Sequence, residues 1–186
     1  MSVNRATVQG AFDLTEFLQS KGYACTIGGG FARDTFFGVP PKDIDIVVAT
    51  VPSDYQKVEE ILQQAGYEFV KFRIYNEAKG DRLIGGFKLV GTDIDVVLYD
   101  VPSVSDAVEA FDFNLNQFVV SGISRGIDEA TIRFQGSKHW SELVPVRKDY
   151  SQDRYNKMMT KFIDLTWRVK DPDTQEVPVG GPNGTY

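Results

Sequence analysis

Cysteine and histidine are nearly absent from this chain: Cys25 and His139 are single instances among 186 residues. One cysteine excludes an internal disulfide, and one of each excludes the usual zinc ligand sets. Any Ser-His or Cys-His catalytic pair would have to use His139. Long apolar runs are missing too, and no stretch approaches the roughly 20 residues that a membrane-spanning helix needs. Met1 to Gln19 carries Arg5, Asp13 and Glu16 and lacks the continuous apolar segment of a secretory signal. The expected location is the cytoplasm of the producing or host cell, with no membrane partner. Basic charge is in deficit, with Lys+Arg 20 against Asp+Glu 26 and a net charge of −6, which argues against broad nucleic-acid affinity.

What is present is typical of a folded domain. Hydrophobic residues make up 42% and charged residues 25%, close to the soluble globular average. The length fits one domain with a small appendage. Charge is uneven, however. Residues 1–132 carry a net −8, residues 133–170 a net +5 and residues 171–186 a net −3. A phosphate-rich partner should therefore meet the C-terminal third.

Periodicity predicts a helix over 4–20, from Val8, Ala11, Phe12 and Leu18. A strand over Tyr23–Ile27, a short helix over Phe31–Phe37 and a strand over Ile44–Ala49 follow. Ser53 reads as the N-cap of a helix carrying Val58, Ile61, Leu62 and Ala65, closed by Gly66. Strands are expected at 67–74, 83–90 and 93–99, with a hairpin near Gly80-Asp81. A helix near 104–111 precedes a strand pair at 113–121 and 130–135. The last helix, 151–168, has a stripe of Tyr155, Met158, Met159, Phe162 and Ile163 for burial. Arg154, Lys157, Lys161 and Arg168 fall within about 60° of one another beside it. They read either as a solvated flank or as a ridge for phosphates. The proline- and glycine-rich segment 171–186 reads as a flexible tail.

The chemistry concentrates in Ile27–Val48, IGGGFARDTFFGVPPKDIDIVV. A glycine turn, Gly28 to Gly30, lies between a strand and a helix, where backbone N–H groups can approach phosphate. A glycine triplet alone is a tight turn more often than a phosphate cradle, and this one is not the G-x-G-x-x-G dinucleotide pattern. Here Arg33 and Lys42 add charge suited to a triphosphate. Asp43 and Asp45 then occupy i and i+2 of a strand start, so both carboxylates face one way and Ile44 faces the core. Like charges so placed repel unless a cation joins them, which suits Mg²⁺ or Mn²⁺ with substrate phosphates. A second Asp-Ile-Asp at 93–95 offers a third carboxylate, Asp95, with Asp93 as the fallback. His139 reads as a surface or core residue, and Cys25 as part of the core.

These residues resemble the signature of the DNA polymerase β-type nucleotidyltransferase superfamily. They are most similar to the head domain of class II CCA-adding enzymes (tRNA nucleotidyltransferases) and bacterial poly(A) polymerases. Gly29, Gly30, Arg33, Asp34, Asp43 and Asp45 match that signature position by position. The block FDFNLNQ at 111–117 is similar to the family's Arg-Arg-Asp-Phe-Thr-Ile-Asn run near the nucleotide sugar. Asp112, Phe113 and Asn116 match there, whereas Ala110 and Phe111 stand in place of the arginines. The base-selecting Glu-Asp and following Arg have no clear counterpart, and Arg147, Arg154 and Lys157 are candidates by position. The family's tRNA-holding helical body has no counterpart in the sequence.

The resemblance implies an α/β (α+β) fold: a palm-like mixed sheet backed by helices, with a short helical C-terminal extension. The expected units are a head at 1–135, an extension at 136–170 and the tail at 171–186. The expected activity is transfer of NMP from an NTP, ATP or CTP, to an acceptor hydroxyl. The metal would sit on Asp43, Asp45 and Asp95. The nucleotide would meet Gly28, Gly29, Gly30, Arg33, Lys42, Asp112 and Asn116. The expected acceptor is an RNA or tRNA 3′ end along Arg154, Lys157 and Lys161. A protein or small-molecule acceptor and a silent nucleotide-binding module are the competing readings.

Overall fold

A computed structural model of the chain describes residues 3–73, 80–180 and 186. Helix α1 (Arg5–Ser20) begins where the Asn4 side chain accepts a hydrogen bond from the Thr7 N–H, at 2.9 Å. It buries Val8, Ala11, Phe12, Leu14 and Leu18, so the expected apolar stripe is the buried one. Strand β1 (Ala24–Gly28), helix α2 (Gly30–Phe36) and strand β2 (Ile44–Thr50) follow. Then come α3 (Tyr55–Gln64), β3 (Phe69–Arg73), β4 (Leu83–Leu89), β5 (Ile94–Asp100) and α4 (Val104–Glu109). The chain continues through β6 (Phe118–Ser121), β7 (Thr131–Phe134), α5 (Gln152–Thr166) and β8 (Glu176–Pro178).

The strands form one sheet in the order β3-β4-β5-β2-β1-β6-β7-β8. β2 and β5 run parallel, and the other pairs are antiparallel. Alternation sorts the central strands into two faces. Ile44, Ile46, Val48, Ile94, Val96 and Leu98 point into the core. There α1 covers Ile94 opposite Gly10, and Tyr55 of α3 stacks on Phe87 at 4.9 Å. The other face carries Asp45, Asp95, Val97 and Tyr99. Phe36 and Phe37, at the end of α2, meet Phe118 and the buried Trp140 ring to ring, so residues beyond 135 contribute to the core of the head.

Several local expectations shift. Ser53 lies in a 3-10 turn, Pro52–Asp54, and makes no cap; α3 starts after it. Strand β6 begins at Phe118, five residues later than expected, because Asn114–Asn116 forms a 3-10 turn. Asn114 enforces that turn. Its side-chain amide donates to the carbonyls of Lys138, His139 and Glu142 and accepts from the Val144 N–H. The hairpin expected near Gly80-Asp81 is present as the antiparallel pairing of β3 with β4, although residues 74–79 of its connection lie outside the described ones. On α5, Met158 and Leu165 are buried while Ile163 is 65% exposed, because the helix touches the head along one narrow line. Where a flexible tail is expected, β8 pairs with β7 and Val179 is fully buried. His139 ties this segment down, with Nδ1 on Ser141 Oγ and Nε2 on the Pro172 carbonyl, both at 2.8 Å.

The sheet is tight at β4. A Cβ on Gly86 would lie 2.2 Å from the Val96 carbonyl oxygen and 2.6 Å from the Phe72 ring. The oxygen belongs to a central strand and cannot step aside. Gly86→Ala should therefore lower unfolding free energy by about 2–4 kcal/mol. Urea unfolding of the two proteins checks this, and equal midpoints would refute it.

Candidate active site

The glycine turn follows from β1 running straight into α2. Gly29 has φ +76°, a conformation that L side chains rarely adopt. Its N–H is held by the Phe118 carbonyl at 3.0 Å, and its own carbonyl accepts from the Arg33 N–H at 2.9 Å. Helix α2 spans 7 residues, so its dipole is short and Arg33 supplies most of the positive potential beside the turn.

Strand register aligns the site. Gly28 pairs with Asp45 across β1 and β2, Asp45 with Asp95 across β2 and β5, and Asp95 with Lys88 across β5 and β4. One row across four strands thus carries a glycine, two carboxylates and a lysine. The Asp45 and Asp95 side chains therefore stand next to each other on one face of the sheet. Burial first, and then the charges of Asp95 and Asp43, push Asp45 up to about 7, with Lys88 opposing. Asp95 is raised too, chiefly by burial, while the Lys88 ammonium 3.7 Å away pulls it back down. Two acids forced together in this way disfavour carrying both charges at once.

Of the two candidates on β5, Asp95 stands beside Asp45. Asp93 lies before the strand and lines a shallow hollow with Asn4, Thr7 and Gly10 under the start of α1. Asp43 is near enough to raise both members of the pair. Among the described residues, no group of three or more His, Cys, Asp or Glu side chains is gathered tightly enough to hold a metal ion. The pair itself fits a hard divalent cation by chemistry, since it offers oxygen donors only.

A second set of residues forms a polar chain behind the turn. Arg33 is 9% exposed; its Nε donates to Asp34 at 2.9 Å and its Nη1 to Asn116 at 2.7 Å. Asn116 Nδ2 donates to Asp112 at 3.1 Å, and Arg154 Nε of α5 donates to the other Asp112 oxygen at 2.7 Å. Burial works upward on Asp112, but the Arg154 guanidinium and Asn116 outweigh it and hold the carboxyl below its usual range. Residues from three distant segments are thereby joined. Beside the chain, Arg33, Arg154, Lys157, Met158, Thr160 and Lys161 line an open groove of about 590 Å³. Arg154 is committed to Asp112, and Arg168 pairs with Asp164 at 3.3 Å. Lys157 and Lys161 form no ion pair among the described residues. Lys42 is exposed in the loop before β2.

Three participants carry no signal in the sequence. Lys88 enters through cross-strand register, and Tyr99 through its place on the carboxylate face of β5. Phe111 reaches the Tyr99 ring from the end of α4, at 6.1 Å between centroids. Burial first, and then the charge of Asp45, raises the Tyr99 hydroxyl above its ordinary value.

No sequence profile of a known protein family matches the chain. No curated protein matches it either. Solved structures match it by shape. The CCA-adding enzyme of Bacillus stearothermophilus in complex with CTP has a TM-score of 0.50 and 18% identity, over 84% of this chain and 38% of that one. The Thermotoga maritima CCA-adding enzyme complexed with tRNA has a TM-score of 0.48 and 19% identity, over 64% of this chain and 27% of that one. The chain therefore spans well under half the length of either protein. The fold, a mixed α/β sheet backed by helices, is shared with the aligned part of the Bacillus stearothermophilus enzyme.

Proposed function

We propose that this protein is a metal-dependent nucleotidyltransferase that moves NMP from an NTP, ATP or CTP, to an acceptor hydroxyl with release of pyrophosphate. The supporting observation is the single register row that sets the glycine turn, Asp45 and Asp95 side by side. The turn at Gly28–Gly30 and the guanidinium of Arg33 bind the triphosphate, with Lys42 reaching in from its loop. Asp112 and Asn116 hold Arg33 in place and face the sugar. Asp45 and Asp95, with Asp43 nearby, would hold Mg²⁺ or Mn²⁺, which when bound supplies Lewis acidity at the α-phosphate. Asp95, which stands 3.7 Å from the Lys88 ammonium, would take the proton of the attacking hydroxyl. A bond forms from that oxygen to the α-phosphorus, and the bond to the pyrophosphate oxygen breaks.

The acceptor in this reading is an RNA 3′ end, tRNA included, lying in the basic groove of α5. Asp112 already occupies Arg154, so Lys157 and Lys161 are the cations of the groove without an ion pair among the described residues. Lys157→Glu/Lys161→Glu should raise the acceptor KM about tenfold or more, the scale of losing two phosphate contacts. The KM for nucleotide should stay within twofold. Equal changes in both would remove RNA from the groove. The acidic net charge of −6 favours a second reading, a protein or small-molecule acceptor.

The direct test offers each labelled NTP, with Mg²⁺ or Mn²⁺, to the protein and total RNA. Label entering RNA from one NTP, and lost in Asp43→Ala/Asp45→Ala, supports terminal transfer and names the base. Label on protein favours the second reading. Bound nucleotide without pyrophosphate release refutes transfer and leaves a silent binding module.

A further inference from the structure

Phe111 is an aromatic ring in a site otherwise built of charge, and it is half-buried there. A Cβ on Gly29 would stand 3.9 Å from its Cε2, so the ring borders the glycine turn. On its other side lies Tyr99, with ring planes tilted at 51°. Tyr99 shares its face of β5 with Asp95, four residues away and so two side chains along the strand. The two rings therefore form a short apolar wall running from the turn to the carboxylates. Phe111 is only half-buried, so part of this apolar surface meets water, which is unfavourable. Of the parts of a nucleotide, only the base offers a flat face to match.

We propose that Phe111, supported from behind by Tyr99, is the stacking platform for a nucleobase of the substrate. The proposal rests on the nucleotidyl-transfer reading above and adds the group that recognises the base. Stacking tolerates every base, because each has a π-face. The platform therefore sets affinity and leaves the choice among bases to other groups. Phe111 is a binding residue, acting on the incoming NTP in the first instance and on an acceptor nucleotide if the base lies there.

The test is calorimetric titration of the full chain with ATP, with inorganic tripolyphosphate and with the dinucleotide ApA. Phe111→Ala should weaken ATP binding about tenfold, the scale of one stacked base, and leave tripolyphosphate within twofold. Phe111→Leu keeps an apolar side chain of similar bulk without the π-face. It should behave like the alanine variant, which separates stacking from packing should Phe111→Ala fold poorly. Phe111→Trp should restore ATP affinity. Loss confined to ApA assigns the platform to the acceptor base and still supports it. Equal losses for ATP and tripolyphosphate, or no loss with either nucleotide, overturn the platform and leave the nucleotidyl-transfer reading standing. A wild-type chain that binds neither ATP nor tripolyphosphate overturns both.

Discussion

Asp45→Asn should abolish nucleotidyl transfer and at the same time make the protein more stable. On the proposed reading the activity loss should exceed about 10³-fold in kcat/KM, because the amide lacks the negative charge that would hold the cation beside the α-phosphate. The stability gain has a separate origin. Burial and the neighbouring acids raise Asp45 to about 7 in the folded chain, against about 4 when unfolded. Between those values the folded state binds the extra proton, so stability falls as pH rises from about 4 to about 7 and stays level above. The full penalty is at most about 4 kcal/mol. The neutral amide escapes it, and Tm at pH 8 should rise by about 3–8 °C. The downward slope of Tm between pH 4 and 7 should shrink in the variant. Mg²⁺ or Mn²⁺ added at pH 8 should raise the wild-type Tm and leave that of Asp45→Asn unchanged. Full activity in the variant, or a Tm lower than wild type with no metal effect in either protein, would refute a cation site at the Asp45/Asp95 pair.

Arg33→Met should damage both folding and nucleotide binding, through two different atoms of one side chain. Nε and Nη1 are used internally, on Asp34 and Asn116. Nη2 makes no hydrogen bond among the described residues and lies 3.6 Å from where a Cβ on Gly30 would stand. It is the atom left to meet a phosphate. Asp34 is 5% exposed, so removing its partner strands a buried carboxylate. Breaking a buried pair from one side typically costs about 3–5 kcal/mol. The double variant Arg33→Met/Asp34→Asn removes the stranded charge and should return to within about 1–2 kcal/mol of wild type. Its ATP affinity should remain reduced by more than tenfold, since the phosphate contact is still missing. Urea unfolding and calorimetry report the two effects independently. A double variant that binds ATP like wild type would confine Arg33 to a structural role.

The order of strand, glycine turn, helix and strand over residues 24–50 was legible because each piece is local. A glycine at positive φ, an apolar period and an i, i+2 pair of acids need only neighbouring residues to be read. The start of β6 was misplaced for the opposite reason. Asn114 looks like a strand residue until residues 138–144 fold back over it and take up every hydrogen bond of its amide. The same holds for β8, an edge strand that exists because β7 offers it an unpaired edge and the core offers Val179 a place.

By itself, then, the sequence determined the class of fold, the place of the turn and the setting of Asp45 on the strand face opposite Ile44 and Ile46. Tertiary structure alone decided that Asp95, and not Asp93, stands beside Asp45. It also brought Lys88 into the row, committed Arg154 to Asp112, and set Phe111 against Tyr99. Each of these depends on register between segments tens of residues apart. Register follows from how the whole hydrophobic face packs, and a shift of one residue would turn every carboxylate of β5 to the other side of the sheet.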